Sequence, residues 1–83
     1  MMTQGVASHL SEAQINPIQI NDLLARHLAG DFGDLPSEDR AENKRAIRDG
    51  NRILSAYQLG SARVWIITES DRSATTVLFP EEY

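Results

Sequence analysis

The sequence predicts an α+β domain: two helices packed on a three-stranded antiparallel β-meander, with the N-terminal segment available for one extra strand. Two observations carry that prediction. Between Asn16 and Gly50 the chain holds two stretches with helix caps and helically spaced apolar residues, and beyond Gly50 the period falls to two, in three runs parted by turn-forming residues. With 83 residues there is room for one core, placed in residues 17–83, and residues 1–16 read as a variable N-terminal segment. A domain this small buries roughly 60% of its unfolded surface and is modestly stable, which makes self-association one way to cover the remainder.

Taken in order, residues 1–16 set Val6, Leu10 and Ile15 among small and polar residues, and a frayed start followed by a short strand or a turn of helix near Ser11 is expected. In "NPIQINDLLARHLAG" a cap-type Asn16 precedes Pro17. Ile20, Leu23, Leu24, His27 and Leu28 then follow the helical period up to Gly30, which defines the first helix. "DFGDLPSEDRAENKRAIRDG" opens with a loop rich in Asp and Gly, after which Ser37 is the expected cap of a second helix closed by Gly50. Glu38 and Asp39 in its first turn and Arg45 and Arg48 in its last suit the helix dipole. Its apolar stripe is only Ala41 and Ile47 with the stem of Lys44, a narrow seam that loss of Ile47 should loosen.

"NRILSAYQL" and "ARVWIITE" flank Gly60 and Ser61, which suit a two-residue hairpin loop with glycine first. That loop sets the register: Leu59 opposite Ala62, Tyr57 opposite Val64, Ala56 opposite Trp65, Leu54 opposite Ile67, and Arg52 opposite Glu69. One face then carries Leu54, Ala56, Trp65 and Ile67, and the other Ile53, Ser55, Tyr57, Val64, Ile66 and Thr68. Both are largely apolar. Helices on one side leave the second face either to the N-terminal segment or to a partner, since exposed apolar patches mark interaction surfaces. A third run, "ATTVLFP", reads as a final edge strand ending at Pro80.

Composition narrows the function. At 41% hydrophobic and 24% charged residues the chain is of folding composition, and the absence of cysteine removes disulfides, thiol catalysis and Cys-based zinc sites. A net charge of −4 argues against direct nucleic-acid binding, which needs a surplus of Lys and Arg. No apolar run nears the length of a membrane span, and "MMTQGVASHL" lacks the basic and apolar regions of a secretion signal, so a cytoplasmic protein without membrane contact is expected.

The chemistry-bearing residues read as structural. "ESDRS" at 69–73 is a turn in which Ser70 and Asp71 bond nearby backbone and Arg72 is solvated or reaches a carboxylate. Ser70 has no base nearby in sequence, and His27 lies on the apolar stripe of its helix, the usual place of a packed histidine. His9 and His27 show no zinc-ligand spacing. "AGDFGD" lacks the closing Glu of a calcium loop and the Lys of a phosphate loop; it reads as a helix end and tight turn, with Gly30 and Gly33 left-handed, Phe32 plugging the core, and Asp31 and Asp34 capping backbone. Carboxylate pairs for acid–base work, Asp31 with Asp34 or Glu81 with Glu82, need an enclosing pocket. The expectation is a protein that is not an enzyme, with no cofactor and no metal. An enzyme would need Asp31, Asp34 and Asp71 clustered in one pocket.

The stretches "RHLAGDFGDL", "EDRAENKRAI", "GNRILSAY" and "WIITESDRSATTVLFPEEY" together resemble a family of small uncharacterised bacterial proteins encoded on plasmids and integrated elements. The family pattern runs H-x-x-G-D-W-G-D-L, E-D with an Asn, G-x-R-x-L-S-A-Y, and W-I-I-T-E-x-D-R-S-x-T-T-x-L-x-P-E-E-Y. The resemblance covers residues 26–83, with Phe32 in place of the usual Trp and a hairpin at Gly60 and Ser61 one residue shorter. It implies no established activity; some members carry a restriction-subunit label that so short a chain does not justify as methyltransferase or nuclease.

What the resemblance implies is a setting. Small acidic proteins of mobile elements often inhibit host defence, as anti-CRISPR or anti-restriction proteins do, by occupying a surface of a Cas or restriction complex in the host cytoplasm. Such an inhibitor needs anchors, for which Tyr57, Trp65 and Tyr83 are the candidates, and complementary charge, for which Asp31, Asp34, Glu38, Asp39, Glu81 and Glu82 are the candidates. The alternative is a homodimer, joined through its sheet, that serves maintenance or regulation of the element itself.

Overall fold

The computed structural model describes all 83 residues as an α+β fold. Three helices, α1 (Gln4–Glu12), α2 (Ile18–Leu28) and α3 (Ser37–Asp49), precede three strands, β1 (Ile53–Leu59), β2 (Ala62–Thr68) and β3 (Thr75–Leu78), and a 3₁₀ turn at Pro80–Glu82. The strands form an antiparallel meander in the order β1-β2-β3. The β1–β2 register is the expected one, from Leu59 opposite Ala62 to Leu54 opposite Ile67, because Gly60, at φ +62°, makes the turn. Arg52 and Glu69 extend the ladder as an ion pair at 3.9 Å. No helix is long and apolar enough to cross a membrane.

The N-terminal segment departs from expectation. In place of a frayed start it forms α1, whose Thr3 cap accepts from the Val6 amide and whose Val6 and Leu10 are buried in the core. A nine-residue helix is too short to persist alone, so α1 exists because this contact with the sheet stabilises it. The extra strand reduces to a single parallel bridge, Met2 to Val77. Residues 1–16 therefore complete the core rather than precede it. Ile20 and Leu23 of α2 join Val6 and Leu10 over Tyr57, Leu59, Val64, Ile66 and Val77.

Asn16 caps α2 through its side chain, at 3.0 Å from the Ile18 amide. Leu28, at the end of the predicted stripe, is 78% exposed. α3 differs more. Its first residue is Ser37, with Pro36 before it and no side-chain cap, and it docks through Asn43 and Ala46, while Ala41 is exposed and Ile47 is 53% exposed. Its contact is polar: the Asn43 side chain donates to the Leu54 carbonyl and accepts from the Leu54 amide at 3.0 Å, behaving as a one-residue strand on the outer edge of β1.

Both sheet edges are closed in this way. Next to Asn43, the 31–34 loop lies along β1, with the Ala56 amide bonded to the Phe32 carbonyl and the Asp34 amide to the Ala56 carbonyl. On β3, the Val77 amide donates to Met1 and the Val77 carbonyl accepts from Thr3. Gln58, near the hairpin, keeps its outward backbone groups free, but neither edge offers the run of open amides and carbonyls that another strand needs.

Candidate functional site

The turn at 69–73 is a clamp. Asp71 Oδ1 accepts from the Ser73 amide at 3.0 Å and from Ser73 Oγ at 2.6 Å, which holds its carboxyl below the usual carboxylate range. Arg72, with φ +63°, projects back across the turn. It meets no carboxylate and is not simply solvated: Nη1 donates to the carbonyls of Asn51 (2.7 Å), Glu69 (3.2 Å) and Ser70 (3.4 Å), and Nη2 to that of Ala46 (3.2 Å). The guanidinium thus supplies donors and positive charge at the C-terminal end of α3, where Gly50 ends the helix at φ +78°.

A second cluster is buried. His27 of α2, only 4% exposed, reaches down to the sheet, with Nδ1 at 2.5 Å from Ser55 Oγ and Nε2 at 2.8 Å from Thr68 Oγ1, which in turn lies 2.9 Å from Thr75 Oγ1. One hydrogen-bonded row thus joins α2 to all three strands. As a nucleophile pair Ser55 and His27 lack access, because Ser55 is fully enclosed, and a carboxylate to orient the ring is missing. The signal for this row was the placing of Ser55 and Thr68 on an otherwise apolar face.

Burial pushes the His27 imidazole below its ordinary value of 6.5. The fold therefore favours the neutral ring: the stability it contributes is present above about pH 6.5 and is lost as pH falls through that value toward the depressed one. We expect the thermal midpoint to fall between pH 7.5 and pH 5.5, by about 4–8 °C for each kcal/mol lost. Thermal unfolding across that window tests it, and a His27→Gln variant, which cannot titrate, should show a flatter profile. Asp31 and Asp71 titrate below their ordinary 3.8, outside the window.

The candidate acidic residues separate. Asp31 pairs with Arg26 at 2.8 Å and accepts from the Gly33 amide at 3.2 Å, and Arg26 holds its carboxyl below the usual range. Asp34 contributes its backbone to the β1 edge, and its carboxylate bonds nothing. Glu38 and Asp39 are exposed in the first turn of α3. Glu82 is structural, accepting from Thr3 Oγ1 at 2.7 Å and from the Phe79 amide at 2.8 Å, whereas Glu81 is exposed. Asp31, Asp34 and Asp71 share no pocket, as none of the three clefts on the molecule is lined by an acidic side chain. No group of His, Asp or Glu side chains is arranged to hold a metal ion.

The candidate aromatic residues also separate, with one correction. Tyr57 is not an exposed anchor: it is 1% exposed on the helix-covered face, its hydroxyl donates to the Asp31 carbonyl, and burial raises its phenol above the ordinary 10. Trp65 and Tyr83 lie on the opposite face, their rings edge-to-face at 5.8 Å. There, Leu54, Trp65, Ile67 and Tyr83 line a cleft of about 360 Å³ that Arg52 closes at one end, and no helical residue contributes to it. Ile67 is buried, Leu54 and Trp65 are partly open, and Tyr83 is 68% exposed. The N-terminal segment does not cover this face, since Val6 and Leu10 pack on the other one. No family model, curated protein or solved structure matches this chain.

Proposed function

We propose that this chain is a small non-enzymatic binding protein that docks on a protein partner through the open sheet face of Leu54, Trp65, Ile67 and Tyr83. The observation that carries the reading is the contrast between surfaces: both sheet edges are occupied and one face is roofed by helices, while on the other, where Ala56, Ile67 and Leu78 are buried, no helix lines the apolar cleft that Leu54, Trp65 and Tyr83 leave partly open. The resemblance of residues 26–83 to mobile-element proteins supplies the candidate target, a subunit of a Cas or restriction complex that the protein would inhibit by occupation. The motif residues of that resemblance also include structural ones, since His27, Tyr57 and Arg72 hold the fold.

The test is affinity capture from lysates of bacteria carrying CRISPR and restriction systems, with stoichiometry by mass spectrometry. We expect stoichiometric capture of one defence subunit, and at least tenfold less with Leu54→Lys or Trp65→Ala at unchanged circular dichroism. Charge reversal at Glu38 and Asp39, which lie off this face, should leave capture intact; if it abolishes capture while the face variants do not, the face reading is wrong. A dimer of native mass with nothing captured would favour the element-maintenance homodimer instead.

A further inference from the structure

The open face has its own charge, and we infer from it that the segment seated there is an extended peptide with an apolar side chain between two carboxylates. This rests on the docking role proposed for the face and names the partner's chemistry. The chain as a whole carries −4, yet the charged side chains standing on this face are Arg52, Arg63 and Glu69, a local excess of one positive charge. A partner drawn to the average surface would be basic; one fitted to this face is acidic at its ends.

The two arginines are under-used. Arg52 stacks its guanidinium 5.3 Å from the Tyr83 ring centroid and donates to the Tyr83 hydroxyl through Nη1, but Glu69 is 3.9 Å from its Nε, beyond hydrogen-bond range. Nε and Nη2 therefore keep open donors at the mouth of the cleft, on a side chain 46% exposed. The Tyr83 ring and hydroxyl hold the guanidinium in place, so less rotamer freedom remains to be lost when a carboxylate binds its open donors. Arg63, exposed near the hairpin end of β2, makes no ion pair and no hydrogen bond. It sits six positions from Glu69 along the strand, roughly 20 Å at the strand rise.

Between these ends lies the apolar cleft, with Leu54 and Ile67 as floor and Trp65 and Tyr83 as walls. An extended segment spans roughly 20 Å in six residues, so a partner with acidic residues six apart and an apolar residue midway satisfies both arginines and fills the cleft. A second copy of this chain fits less well: its equivalent face brings the same arginines, and its exposed Glu38 and Asp39 stand on α3, away from the apolar strip.

Trp65 is the only tryptophan and lines the cleft, so its fluorescence reports occupancy directly. The probe is an acetylated and amidated nonapeptide with a central Phe and a Glu three residues to either side, compared with its Gln and Lys counterparts at 20 and 200 mM salt. We expect the Glu peptide to bind at least tenfold more tightly than the Lys peptide at low salt. The advantage should shrink at high salt and vanish in an Arg52→Gln, Arg63→Gln double variant that keeps its fold. Equal affinities for the three peptides, a preference for Lys, or no fluorescence response to any of them would overturn the inference. Equal affinities that Leu54→Lys abolishes would leave the docking face standing and remove only its acidic preference, whereas equal capture by the face variants in lysate would remove the face itself.

Discussion

Gly33→Ala is expected to destabilise the domain by about 3 kcal/mol or more, out of proportion to one added methyl group. Gly33 has φ +70°, a conformation that costs an L-residue about 1–2 kcal/mol, and a Cβ there would stand 2.0 Å from the Ala56 carbonyl oxygen and 2.7 Å from the Tyr57 ring. A backbone oxygen in a strand cannot step aside. The 31–34 loop would have to leave β1, breaking the bonds from the Ala56 amide to Phe32 and from the Asp34 amide to Ala56, and loosening the Tyr57 hydroxyl on Asp31 and Arg40 on the Gly33 carbonyl. Each buried polar group left unpaired costs a further 1–3 kcal/mol or so. Gly30→Ala is the control: φ is +82°, but nothing lies within 4 Å, so only the conformational cost of about 1–2 kcal/mol applies. Urea midpoints at unchanged slope compare the two. Equal losses would mean that the loop does not press on β1.

Truncating Tyr57 is the second large effect. Tyr57 is the largest of the side chains closed entirely from solvent, at the centre of the cluster that joins α1 and α2 to the sheet. Its ring also underlies the Arg26 guanidinium, 4.8 Å from the centroid. Removing an aromatic side chain from such a core costs about 3–5 kcal/mol. A domain of this length has a total stability of roughly 4–12 kcal/mol, so Tyr57→Ala should be marginally folded or unfolded at 37 °C. Tyr57→Phe keeps the packing and loses one hydrogen bond, about 1 kcal/mol. Thermal unfolding followed by circular dichroism separates them. A Tyr57→Ala variant of near wild-type midpoint would restore Tyr57 as a surface anchor and contradict its buried position.

These two residues also mark where sequence reading reached and where it stopped. Gly33 was legible as a left-handed glycine, because the Asp- and Gly-rich run after a helix leaves few other conformations. That it lies against Ala56, 23 positions on, was not. Tyr57 was placed on the correct face and opposite the correct residue, since a two-residue turn at Gly60 and Ser61 dictates the whole β1–β2 register. Its burial, against the exposed anchor expected, has a physical reason: both faces of this sheet are apolar, and alternation with period two says which residues share a face but not which face the helices take.

The same division runs through the rest of the chain. Local sterics and short-range hydrogen bonds are written in neighbouring residues, so the Asn16 cap, the Gly50 stop, the strand pairing and the α+β class could be read from the sequence itself. Val6 and Leu10, four apart in a polar setting, give too little periodic signal for a helix that only packing sustains. The bonds of Asn43 to Leu54, Arg72 to Ala46, and His27 to Ser55 and Thr68 join residues 11 to 41 positions apart. Such pairs are chosen by which unsatisfied carbonyls and hydroxyls the completed core brings within reach. The open face, with Arg52, Trp65 and Tyr83 gathered on it, was likewise decided only when α1 and α2 had covered the other side.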